Sequence, residues 1–147
     1  MDKAVGAYLI STDRARLDLD AIHTYLSTEA YWALGRSAEA VARAVANSLP
    51  FGLYMGDEQV GFSRVVTDFA TFGWLADVYV LREHRGQGLG KALVAAVLGH
   101  PDVCRLPRVM LATLDAHGLY EQYGFEATEP RRFLSIEPAK PGGGGSE

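Results

Sequence analysis

Ten consecutive residues, Arg82-Glu83-His84-Arg85-Gly86-Gln87-Gly88-Leu89-Gly90-Lys91, hold the residue types and spacing that bind phosphate. Glycines at 86, 88 and 90 let backbone N–H groups approach a ligand with no Cβ in the way. A helical pattern begins at Leu89, so the run ends where unpaired N–H donors and the positive end of a helix dipole gather. Arg82, Arg85 and Lys91 stand against Glu83 alone, whereas the whole chain carries a net charge of −4. The local sign is therefore the one a pyrophosphate needs. Two familiar phosphate loops are excluded by spacing. The P-loop pattern G-x-x-x-x-G-K-[ST] would need glycine where Arg85 stands and a hydroxyl where Ala92 stands. The dinucleotide fingerprint G-x-G-x-x-G belongs at the start of a βαβ unit, and this G-x-G-x-G run lies deep in the chain.

Other chemistry-bearing residues are few. Asp77 is the single charge in the apolar run Trp74–Leu81. Burial would raise its carboxyl pKa unless a cation pairs with it. It is read as a proton acceptor, as an anchor for an amine, or as the partner of Arg64 on the neighbouring strand. His23, His84, His100 and His117 are scattered and the only cysteine is Cys104, so no metal site is expected. Cys104 is read as a packing residue and excludes an intrachain disulfide.

The elements that must position these groups follow from periodicity. Ala7–Ser11 reads as a first strand and Leu19, Ile22 and Leu26 as one face of a helix from about Asp18 to Ser27. Tyr31–Arg36 is a loop, and Ser37 caps a second helix with Ala38, Val41, Val45 and Leu49 on one face, stopped by Pro50. Phe51–Met55 and Val60–Val66 form a hairpin about Gly56–Gln59, a turn at Asp68–Thr71 leads into the strand Trp74–Leu81, and Leu89, Leu93, Ala96 and Val97 mark a helix ending near Gly99. Arg108–Leu114 reads as a strand, Ala116–Tyr123 as a short helix closed by Gly124, and Arg131–Ile136 as a last strand. The order is β-α-α-β-β-β-α-β-α-β, an α/β class with a mixed sheet and helices on both faces.

At 147 residues and 48% hydrophobic content the chain suits one domain, over 1–137, with a flexible Gly-rich tail at 138–147. The acidic balance argues against nucleic acid or an anionic membrane as partner. No apolar run approaches the roughly 18 residues of a membrane span, and the first residues carry no secretory h-region. A cytoplasmic location is expected.

With Arg85, Gly88 and Gly90 in the pattern R/Q-x-x-G-x-G/A, the glycine run resembles the acyl-CoA loop of the GNAT-type N-acetyltransferases. Ala116-His117-Gly118-Leu119-Tyr120-Glu121-Gln122-Tyr123-Gly124-Phe125 resembles that family's A-x-x-L-Y-x-x-x-G-F segment. The element order agrees over residues 5–137, and the resemblance implies a GNAT-like, mostly antiparallel central sheet. It further implies that acetyl-CoA is the co-substrate, its pyrophosphate held by Arg85, Gly86, Gln87, Gly88, Leu89, Gly90 and Lys91. The pantetheine arm would lie along the backbone of Val78, Tyr79 and Val80. Tyr120 falls where the family's tyrosine protonates the departing thiolate, which a phenol of pKa about 10 can serve. Thr113 stands where many members carry Asn. Trp74 and Ala76 occupy positions where members often place Glu or His, leaving Asp77, or a bound water, to take the amine's proton. Tyr31, Trp32 and Arg36 would cover the acceptor with Phe72 and His117, an aromatic surround that suits an amine through cation–π attraction. His117 is otherwise a simple hydrogen-bonding residue.

The resulting expectation is transfer of an acetyl group to a small-molecule or peptide amine by direct attack in a ternary complex, in a monomer or a homodimer. The rival reading is a non-catalytic acyl-CoA sensor, motivated by the missing Glu or His at 74 and 76. A third is a structural domain whose glycine run is incidental.

Overall fold

The computed structural model describes residues 1–139, and most of the Gly-rich tail lies outside the described residues. Packing divides the chain at Asp115/Ala116, and each part is described by itself.

In the first unit β1 (Asp2–Val5), β2 (Tyr8–Ser11), β3 (Leu49–Met55), β4 (Glu58–Thr67), β5 (Gly73–Val80) and β6 (Val109–Met110) form one sheet in that spatial order. All neighbours are antiparallel except β5 and β6, which run parallel. The sheet is thus mixed and mostly antiparallel. Helices α1 (Leu19–Thr28) and α2 (Ala38–Ala46) fall between β2 and β3, and α3 (Leu89–Gly99) and the short α4 (Pro101–Cys104) between β5 and β6. Asp18 caps α1 by accepting from Ala21 N, and Ser37 caps α2 by accepting from Ala40 N.

Helices cover both faces. Ile22 and Leu26 of α1 and Val41 and Val45 of α2 pack in one cluster with Phe62 and Tyr79. Phe51 pairs in register with Ser63, which follows Phe62 and so points to the opposite face. There Phe51 meets the ring of His100, at the C-terminus of α3, edge-on at 5.6 Å between centroids. β4 is buried on both faces from Gln59 to Ser63, so its burial does not alternate along that stretch although Gln59 and Ser63 are polar.

Several expectations are corrected. An extra edge strand, β1, pairs with β2 through the turn at Gly6. Leu49 and Pro50 open β3 and do not prolong α2. The strand expected at Arg108–Leu114 is paired only at Val109 and Met110. The strand expected at Arg131–Ile136 is absent, and Leu134 and Ile136 are largely exposed. A strand exists only where a neighbouring edge completes its backbone bonds, which local composition does not report. Cys104 is exposed while its neighbour Val103 takes the buried position. The second unit contains α5 (His117–Glu121), in which Tyr120 meets Phe125 edge-on at 5.9 Å.

Ser63 carries a buried hydroxyl with no hydrogen-bond partner. Removing an unsatisfied buried hydroxyl relieves its desolvation cost, so Ser63→Ala should leave stability unchanged or raise it by up to about 1 kcal/mol. A urea midpoint displaced downward would show that the hydroxyl is bonded after all.

Candidate active site

Strand β5 carries an irregularity at the one residue the sequence marks as chemically conspicuous. Phe62 pairs with Tyr79 and Arg64 with Ala76, so Asp77 and Val78 together face Ser63 across a β-bulge. Asp77 takes φ +55°, a left-handed conformation that aspartate tolerates better than most residues.

The Asp77 side chain is only 3% exposed and is fully engaged. Its Oδ2 accepts from Arg64 Nε at 2.7 Å and Arg36 Nη1 at 3.0 Å, and its Oδ1 accepts from Trp32 Nε1 at 2.8 Å. Arg64 Nη1 continues the network to Ser48 Oγ at 2.9 Å. Burial alone would raise this carboxyl. The hydrogen bond and charge of Arg64, then Trp32 N–H and the charge of Arg36, outweigh burial and hold it below the usual carboxylate range. A carboxylate so stabilised favours the pairing reading of Asp77 over that of a proton acceptor. The pairing with Arg64 is present, and two further donors share it.

Trp32 and Arg36 thereby dock the α1–α2 loop onto the bulge. From the same loop Tyr31 stands edge-on to Trp32, and its hydroxyl accepts from Leu114 N at 3.3 Å. The loop thus bridges from β5 to the segment that follows β6. Phe72 is not gathered with these residues. It lies in the turn before β5, five residues from Asp77 and about 16 Å away along an extended strand.

Between those anchor points the sheet opens. β6 pairs with β5 only at Gly73 and Trp74, and β5 runs on to Val80 with no strand on that edge among the described residues. Leu81 N–H donates to Val60 O at 2.8 Å and so faces β4. By alternation Tyr79 also faces β4, while Val80 and Val78 turn their backbone groups to the open edge. Of the three residues expected to line the pantetheine arm, Tyr79 is thus corrected. Its ring is buried instead, stacked on Tyr25 at 3.9 Å, and burial together with the nearby Tyr25 and Asp18 pushes its phenol well above the ordinary value.

The open edge leads directly into the glycine run. After a single turn at Arg82–His84 the chain passes Gly86 (φ +81°) and Gly88 (φ +77°) into α3, whose N-cap is Gly88. A Cβ placed at Gly86, Gly88 or Gly90 would meet no atom within 4 Å, so this backbone is approachable from outside. Arg85 is spent on the protein itself. Its Nε donates to Val80 O at 2.8 Å and its Nη2 to Tyr25 OH at 2.9 Å, fastening the loop to β5 and α1. Gln87 Nε2 donates to Tyr8 OH, which also bonds His84 Nδ1. Sequence reasoning missed the tyrosines at 8 and 25, whose partners lie 60 or more residues away.

On the α1 side of Arg85 lies a cavity of about 730 Å³. Five carboxylates, among them Asp20, Glu58 and Glu83, face Arg82 and Arg85 there, a sign that repels phosphate. Among the described residues no cluster suited to a metal ion is present, and no helix is long and apolar enough to cross a membrane.

The family model for the acetyltransferase (GNAT) domain matches residues 46–127, more than half of the chain. The chain belongs to the GNAT acetyltransferase family. A GNAT-family structure from Xanthomonas campestris is 44% identical, covers 91% of this chain and 95% of its own, and superposes with a TM-score of 0.87. A Gibberella zeae protein named as an acetyltransferase is 39% identical over 78% of this chain and 76% of its own length. The N-acetylglutamate synthase of Neisseria gonorrhoeae, solved with coenzyme A and N-acetyl-glutamate, is 16% identical with a TM-score of 0.72, covering 88% of this chain and 31% of its own. That last likeness is one of fold. The bulge, the open β5 edge and the glycine loop of this GNAT chain form one continuous backbone track.

Proposed function

We propose that the protein is an acetyl-CoA-dependent N-acetyltransferase acting by direct attack in a ternary complex. The observation that carries this reading is the open edge of β5 running without interruption into the approachable loop Gly86–Gly90 at the head of α3. Val78 and Val80 fit a polar arm bearing amides, and the loop N–H groups with the α3 dipole fit a pyrophosphate. The fold relative from Neisseria, which holds coenzyme A, supports the same ligand class. Acetyl-CoA would supply an acetyl group activated as a thioester.

Arg85 already occupies the Val80 carbonyl, leaving the Val80 N–H as the donor on that edge. In this reading that N–H steadies the thioester oxygen as negative charge develops. The acceptor amine sits under the α1–α2 loop beside Trp32 and Arg36. Arg36, Arg64 and Asp77 together leave one positive charge, which disfavours an ammonium and favours the neutral, nucleophilic amine. The displaced proton passes to water, and Asp77 is a positioning residue that holds Trp32 and Arg36. The N–C bond forms as the C–S bond breaks, and Tyr120 gives its proton to the sulfur. The acid role of Tyr120 rests on the second motif; Thr113 is carried over as the residue standing where many members carry Asn, and His117 as an acceptor-side residue.

Calorimetric titration with acetyl-CoA tests the core of this reading, with Gly90→Leu as the decisive variant. Gly90 has ordinary helical backbone, so leucine introduces no strain and should add about 0.5–1 kcal/mol to the stability of α3. It also fills the space phosphate oxygens would enter. Micromolar binding by the wild type, weakened tenfold or more in a variant of equal or greater stability, is the expected result. No binding by the folded wild type would remove both the enzyme and the acyl-CoA sensor. Binding without CoA release from any amine would leave the sensor.

A further inference from the structure

The Asp77 network holds more positive than negative charge, and the excess is displayed on one side. Arg64 is 13% exposed and committed to Asp77 and Ser48, whereas Arg36 is 26% exposed and gives one of its five N–H donors to Asp77. Among the described residues no protein group takes the other donors of Arg36. His23 Nε2 lies 3.0 Å from the Arg36 backbone oxygen and tethers that residue to α1. Beside Arg36, Trp32 and Tyr31 are 42% and 48% exposed, with Trp32 N–H bonded to the buried Asp77 and Tyr31 OH accepting from the N–H of the exposed Leu114. The result is a fixed guanidinium next to two aromatic side chains fixed at their polar atoms, at the bulge of β5.

From this we infer that the acceptor is an amine that also bears a carboxylate and an aromatic or apolar side chain, with Arg36 taking the carboxylate. A guanidinium presents planar paired donors that match a carboxylate, and the single excess charge of the trio matches a single negative charge. Trp32 and Tyr31 provide the apolar wall. This inference names the substrate class for the transfer reading above and rests on it, but binding alone can test it.

Three pairs of compounds supply the probes: L-phenylalanine and phenethylamine, L-tyrosine and tyramine, L-tryptophan and tryptamine. Each amine is assayed for CoA release from acetyl-CoA. Each N-acetyl product is titrated calorimetrically into the protein with CoA present. The carboxylate-bearing member of at least one pair should bind about tenfold or more tightly and show a correspondingly higher kcat/KM. Arg36→Met should reduce that preference to within about twofold, Arg36→Lys should retain part of it through charge alone, and both should keep the wild-type acetyl-CoA affinity. Equal binding within every pair, no binding by any of them, or a preference that survives Arg36→Met would overturn the inference. Turnover of the decarboxylated amines as fast as the amino acids would overturn it while leaving acetyl transfer standing. A binding preference lost in Arg36→Met, without CoA release from any amine, would support the carboxylate site and remove the transfer reading.

Discussion

Asp77→Ala should cost the protein about 3–5 kcal/mol of stability, the usual penalty for stranding one partner of a buried ion pair. Arg64 would keep its buried guanidinium with only Ser48 as partner, and Trp32 and Arg36 would lose their attachment to β5. Asp77→Asn, which keeps an oxygen for Trp32 N–H and removes the charge, should lose less. The pH dependence follows from the direction of the shift. The Asp77 pKa is lowered in the folded state, so its contribution is complete above the unfolded carboxylate value near 4 and is lost as pH falls through the folded value. The gap in urea midpoint between wild type and Asp77→Asn should therefore be narrower near pH 3 than at pH 7. A loss below about 1 kcal/mol in Asp77→Ala at pH 7, the range of an exposed ion pair, would show that the network adds little. A gap that does not narrow at all between pH 7 and pH 3 would show that the carboxylate charge is not what the variant removes.

The second large effect is expected at Tyr120. If its phenol protonates the departing sulfur, Tyr120→Phe should lower kcat by about 100-fold, the lower end for general acid catalysis, because a thiolate is a good leaving group. Acetyl-CoA affinity should stay at the wild-type value. The alkaline limb of the kcat profile should also flatten, since the titrating acid is gone. Turnover within twofold of wild type would take Tyr120 out of the mechanism. A parallel loss of acetyl-CoA affinity would assign the hydroxyl to binding.

The sequence by itself determined the local features. The glycine spacing at 86, 88 and 90, the cap Ser37 and the 3.6-residue periodicity of α1, α2 and α3 all operate within one turn or one helix face; α1 and α3 are found where that pattern puts them, and α2 starts at its cap but ends at Ala46, short of Leu49. The family could be read from the loop and the element order because both are short-range signals.

Tertiary structure decided everything that depends on a partner distant in the chain. The extent of β6 and the absence of a strand at 131–136 turn on which edges meet, and alternation within RRFLSIE does not encode that. The state of Asp77 turned on Trp32 and Arg36, more than 40 residues away, whose donors convert a carboxyl that burial would raise into one held low. Tyr79 lost its expected edge position because strand alternation is set by the register with β4. Arg85, which reads in the motif as a phosphate ligand, binds the Val80 carbonyl and Tyr25, for hydrogen-bond donors are allotted by geometry that only the packed chain supplies.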